Sequence, residues 1–233
     1  MPEADRRPTT PPPASRVLAG AALALDNARA WLSDADLLAL RGGHPGHALG
    51  LMLLALEETA KAFLWTMVPT LEDPQERGSV RARAASDHDY RLAVGWSLIA
   101  AYRESRRTLA SLCGAAEGQP GMLEYLQARL RAVEAHPPQH RFRTLAFRLR
   151  TAPLYVDWHD KEFTTPMSAA PGDAKASEAI LDDVRGAWAL ASRFHTAVVT
   201  ADRQERRRLG SIWKQASSVA QGLLKGTAST EHP

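Results

Sequence analysis

Residues 51–68 read LMLLALEETAKAFLWTMV. The run is apolar except at Glu57, Glu58, Thr59 and Lys61. At 100° per residue, Leu49, Leu53, Leu56, Ala60, Phe63 and Met67 share one helical face. Leu51, Leu54 and Trp65 flank the charges on the other side. A helix apolar nearly all round belongs at the centre of a bundle or at an interface, so this stretch predicts a helical fold built around it. Glu57 and Lys61 fall at the edge of the main face, one turn apart and acid first, and are expected to pair. Glu58 lies further round and then requires a cation from another element. The plain alternative is a solvated i, i+4 salt bridge, which stabilises little.

Working outward, the pattern predicts helices on both sides. Residues 1–14 are rich in Pro and charge and read as a disordered tail. Ser15 is the expected N-cap of a first helix running to Leu40, with Leu18, Ala22, Leu25, Ala28, Leu32 and Ala35 on one stripe. RGGHPGH (41–47) is a tight turn, and a second helix follows to about Val68. So short a connection makes the first two helices antiparallel neighbours. A loop over 71–79 leads to one long helix over about 80–113. Short helices are expected at 121–135 and 140–150, and an extended segment or small hairpin around 153–166 with its turn at Asp160-Lys161. Two more helices are expected at about 174–200 and 203–224. The predicted fold is thus an all-α, up-down bundle with one extended insertion. It is read as one domain over 15–225, followed by a frayed tail at 226–233.

The composition agrees with this reading. The chain has 233 residues, 45% of them hydrophobic and only 6% aromatic, so Ala and Leu supply most of the core. Both favour helix over strand. The formal charge is +3, too small to argue for nucleic acid by itself. Lys supplies only five of the 29 cations. The Arg excess could serve phosphate, but an Arg- and Ala-rich composition is the favoured account of it. A single cysteine, Cys113, excludes an internal disulfide and a cysteine zinc site, and a reducing compartment fits. No transmembrane span is expected. Arg6, Arg7 and Arg16 before VLAGAALAL loosely mimic a signal peptide, but the helical period continues through Leu32. A cytoplasmic protein is the expectation.

The chemistry-bearing stretch is RARAASDHDYR (81–91). His88 and Arg91 stand at i, i+3 and share a face. A histidine can move protons near neutral pH, and an arginine can hold a phosphate. Asp87 and Asp89 could orient the ring. Arg83 to His88 also fits R-x4-H, and Arg81 to His88 fits R-x6-H, spacings similar to the RNA-cleaving motif of HEPN-type helical domains. That motif usually carries a polar residue after its Arg, whereas alanine follows both arginines here. His44 and His47 lie on a Gly-Pro turn rather than on one helix face, so no metal site and no cofactor are expected. There is no P-loop, GxSxG or HExxH.

Three segments in order resemble the AbiV family of bacterial abortive-infection proteins, a HEPN-like helical group. The first is NARAWLSDADLLALRGGHPGHALGLMLLALEETAKAF, similar to that family's helical hairpin ending in A-x-E-E-x-x-K-A. The second is DHDYR, and the third is LRTAPLYVDWHDKEFTTP. Residue by residue, the resemblance maps onto Glu57, Glu58, Lys61, Asp87, His88, Tyr155 and Asp157. Two departures stand out. Thr59-Ala60 replaces the family's frequent Ile-Gly, and Arg91 stands where a Lys often follows the Asp-His element. For Tyr155 and Asp157 the favoured reading is structural, a ring that packs and a carboxylate that starts a turn.

The resemblance implies antiphage defence by stopping the infected host. The expected mechanism is toxin-like, metal-independent RNA cleavage or inhibition of translation. His88, Arg83, Arg91 and Asp87 would carry the reaction, and HEPN relatives imply a homodimer. RNA and a phage or host translation-related protein are the candidate partners. The rival reading is a non-catalytic interaction module in which Glu57, Glu58, Lys61 and His88 form a structural ion network. A nucleotide-binding regulatory module would use the same groove for a phosphate.

Overall fold

The computed structural model describes residues 12–40, 45–112, 157–159, 162–164 and 174–211. Helix α1 spans Ala14–Leu40 and α2 spans Pro45–Met67, extended by a 3-10 turn at Val68–Thr70. Helix α3 covers Pro74–Ser86 and α4 covers His88–Leu112. Strands β1 (Asp157–His159) and β2 (Glu162–Thr164) pair antiparallel, with Trp158 opposite Phe163. Helix α5 runs over Ala174–Thr200, and α6 over 203–211. The architecture is the expected all-α bundle with one small hairpin. Among the described residues no helix is long and apolar enough to cross a membrane. The expected helices at 121–135 and 140–150, the hairpin turn at 160–161, residues 1–11 of the first tail, residues 212–224 of the last expected helix and the tail at 226–233 lie outside the described residues.

Helix α2 is the central element and packs against α1, α3, α4 and α5. All six residues of its predicted main face are buried. Joined to α1 through only 41–44, it lies antiparallel to it. Leu18, Leu25, Ala28, Leu32 and Ala35 are buried as the α1 stripe requires. Helix α5 closes the other side: Phe194 meets Phe63 with ring centroids 5.0 Å apart, and Trp188 Nε1 donates to the Leu25 carbonyl of α1 at 3.0 Å. Polar ties mark the helix boundaries. Arg103 of α4 pairs with Asp183 of α5 through Nε to Oδ1 at 2.9 Å, and Arg185 pairs with Asp36 of α1 at 3.0 Å.

Glycines set two close approaches. A Cβ on Gly95 of α4 would sit 2.7 Å from Leu56 Cγ of α2, so only glycine lets these helices come this near without a shift. A Cβ on Gly210 of α6 would meet the Thr70 carbonyl oxygen at 2.6 Å. That contact seats α6 on the turn that ends α2.

Two sequence expectations change. The single long helix over 80–113 is two helices divided at Asp87, and the supposed loop over 74–79 is the start of the first. Asp73 caps α3 by accepting from the Gln75 N–H at 2.9 Å, with Pro74 behind it, where a missing N–H costs nothing. At Asp87 the backbone turns extended, at φ −98° and ψ 92°. Its N–H still closes α3 onto the Arg83 carbonyl, while its Oδ1 accepts the Tyr90 N–H at 2.9 Å. One residue therefore ends α3 and caps α4. At the other end of the sequence, α1 begins one residue before Ser15, which lies inside the helix.

Candidate active site

The site lies where α2, the end of α3 and the start of α4 converge. From α2, Glu57 points into the bundle and is buried. Its Oε2 stands 2.7 Å from His88 Nδ1 and 3.3 Å from Arg91 Nη2. Arg91, also buried, reaches back across the Asp87 elbow. Its Nη1 donates to the carbonyls of Ala84 at 2.9 Å and Ala85 at 3.2 Å, two of the acceptors a helix C-terminus leaves open. Its Nη2 lies 2.6 Å from His88 Nδ1. The guanidinium thus joins three elements at once. His88 sits at the rim with its side chain 49% exposed, against 6% for Glu57 and 7% for Arg91.

Electrostatics explains why the group is arranged this way. A carboxylate on an apolar face costs several kcal/mol unless it is paired, and an i+4 lysine on the same helix would leave both charges near the core. The arginine from α4 offsets part of that penalty with a buried, multiply bonded cation. Gly95 lies two turns below His88 on α4, and its close approach to Leu56 brings α4 near enough for the contact at Glu57.

The expected pairing of Glu57 with Lys61 is not what forms. Lys61 Nζ binds Glu58 at 3.0 and 3.3 Å, an i, i+3 pair at the half-exposed edge of α2. Glu57 takes the cation from the next helix. The reason is angular: Glu57 lies three or four residues from Leu53 and Ala60 on the main face, whereas Glu58 and Lys61 are turned outward. A cation from another element was expected for Glu58; the structure gives it, as Arg91 with His88 beside it, to Glu57 instead.

The other candidates are spread around this centre. Asp87 is engaged as the α4 cap, with its Oδ1 on a backbone N–H. The Arg83 guanidinium lies over the Tyr90 ring, 4.6 Å from its centroid, a cation–π contact on the same elbow. Tyr90 itself is buried. Asp157 opens β1 opposite Thr164, and Tyr155 lies outside the described residues. Among the described residues, no group of three His, Cys, Asp or Glu side chains is placed to hold a metal ion. Sequence reasoning missed two parts of the site: Gly95, and the Ala84 and Ala85 carbonyls. A glycine seven residues after the histidine, on the same face, was the available signal for the first. Backbone acceptors leave no signal in side-chain chemistry.

His88 and Arg91 stand in the first turn of the fourth helix of an all-α bundle, and Arg83 lies in the last turn of the third, the class of fold expected of a HEPN-like protein. The AbiV family model matches residues 16–182, which include every side chain of the cluster, the hairpin and the start of α5. The chain belongs to the AbiV family, and this membership points to abortive infection and antiphage defence. No curated protein and no solved structure matches it.

Proposed function

We propose that the protein defends by cutting RNA without a metal, as a cytoplasmic homodimer that acts as a toxin on its own host. The observation that carries this reading is the position of His88. It is a half-exposed imidazole backed by a buried carboxylate and a buried arginine, on the elbow where Arg83 lies over the Tyr90 ring. In this reaction His88 takes the proton of a ribose 2′-hydroxyl, whose oxygen attacks the adjacent phosphorus. Arg83, stacked on Tyr90 rather than buried, is the cation available to the phosphate oxygens as charge builds on them. The bond to the 5′-oxygen breaks, and that oxygen is protonated from the imidazolium or from water. The products are a 2′,3′-cyclic phosphate and a 5′-hydroxyl.

A second reading has its own support. Arg91 and Glu57 tie three helices together, which is what a structural network would do in a module that binds a phage or translation component. Incubating the purified chain with tRNA and mRNA in EDTA separates the two. Cleavage that leaves cyclic phosphate ends and falls by about 10²-fold or more in His88→Ala supports the nuclease. Cleavage unchanged in that variant removes His88 from the mechanism. No cleavage, together with a His88→Ala chain that no longer confers phage protection and is destabilised, favours the network.

A further inference from the structure

His88 Nδ1 has two neighbours that cannot both be hydrogen-bonded to it. Glu57 Oε2 lies at 2.7 Å and Arg91 Nη2 at 2.6 Å. A carboxylate only accepts and a guanidinium only donates, while a neutral ring nitrogen carries either a proton or a lone pair. With a proton on Nδ1, the ring donates to Glu57. With a lone pair there, it accepts from Arg91 but turns that lone pair on the carboxylate.

The surroundings decide between these states. Arg91 has other acceptors in the Ala84 and Ala85 carbonyls and in Glu57 Oε2, and its Nη2 also lies 3.3 Å from His88 Nε2, the nitrogen that carries the lone pair when Nδ1 is protonated. Glu57 is the more deeply buried partner of His88, and a buried carboxylate loses more from a forfeited bond than a rim imidazole does. Of the nearby carboxylates, Asp87 accepts the Tyr90 N–H through Oδ1, and Glu58 pairs with Lys61.

We propose that Glu57 is a positioning residue that fixes His88 with its proton on Nδ1, which places the lone pair of the neutral ring, and with it the proton-accepting role, on Nε2. Arg91 acts through Glu57, holding it against the ring, and is not a phosphate ligand. The assignment rests on the nuclease reading for its chemical purpose, but the tautomer can be measured without any substrate.

Long-range proton–nitrogen NMR of the full-length, ¹⁵N-labelled protein at pH 8 reads the ring nitrogens of His88, assigned by their loss in His88→Gln. The expected spectrum shows a protonated Nδ1 and an unprotonated Nε2. Glu57→Leu should shift the ring toward the Nε2–H form that free imidazole prefers in water. Glu57→Gln keeps the volume and one acceptor, should populate both forms, and serves if the leucine variant fails to fold. Asp87→Asn should leave the wild-type pattern. A wild-type Nε2–H ring, or a pattern unchanged in both Glu57 variants, overturns the proposal. Where RNA is cut, Glu57→Gln should lower kcat by about 10²-fold with KM little changed. If the tautomer follows Glu57 and no RNA is cut, the positioning stands and the nuclease reading falls.

Discussion

Glu57 and Glu58 are the same side chain one position apart, and the 100° between them gives them different surroundings. Glu57 meets Arg91 and His88 in the interior, and Glu58 meets Lys61 at the edge of solvent. Their energetic weights should differ accordingly. Arg91→Met strands a buried carboxylate and uncaps two α3 carbonyls, so it should cost about 3–5 kcal/mol in urea denaturation. The double variant Glu57→Leu/Arg91→Met should recover much of that loss, because a buried pair replaced whole by apolar groups is often nearly neutral. Lys61→Met should change stability by less than about 1 kcal/mol, since its pair is half-exposed. The sequence made it legible that the charges on α2 needed a partner and that residues 87–91 could supply one. Which glutamate turns inward depended on where α4 would lie, and pattern along one helix does not contain that.

At the scale of elements, the long periodic helices were plain in the sequence. α1, α2 and α5 each carry an unbroken stripe of Ala and Leu or aromatic residues, and burial followed it. The division of α3 from α4 was obscured because apolar spacing runs through both sides of Asp87, and because Asp-His-Asp reads as site chemistry before it reads as a cap. Asp87 serves both: its side chain starts the helix that carries His88. The closeness of α4 to α2 depends on Gly95. Gly95→Val should lower stability by about 1–3 kcal/mol through overpacking against Leu56. Gly20 on α1 has open space around its missing Cβ, so Gly20→Ala should raise stability by about 0.5–1 kcal/mol. Paired chemical denaturation of the two variants checks whether contact or backbone entropy dominates at each site.

For the molecule as a whole, the α2–α5 seam should make stability depend on pH. Thr66 Oγ1 is fully buried and lies 3.0 Å from His195 Nδ1, and burial holds the His195 imidazole below its usual range. The unfolded chain therefore binds this proton more readily than the folded one. Stability from this group is complete above the ordinary histidine value of about 6.5 and is lost as pH falls through the lower folded value. Urea midpoints should fall between pH 7.5 and 5.5, and His195→Gln should flatten that slope. The elbow at Asp87 has a consequence for the whole chain as well. Because α3 stops and α4 starts at a single residue, that junction sets the phase of everything after it. One alanine inserted between Asp87 and His88 would leave both helices able to form, yet turn α4 by about 100° against its cap and advance it by about 1.5 Å. Glu57 would then face neither His88 nor Arg91, and Leu56 would no longer face Gly95. The fold should therefore tolerate changes in the composition of the two helices far better than any change in the count of residues between them.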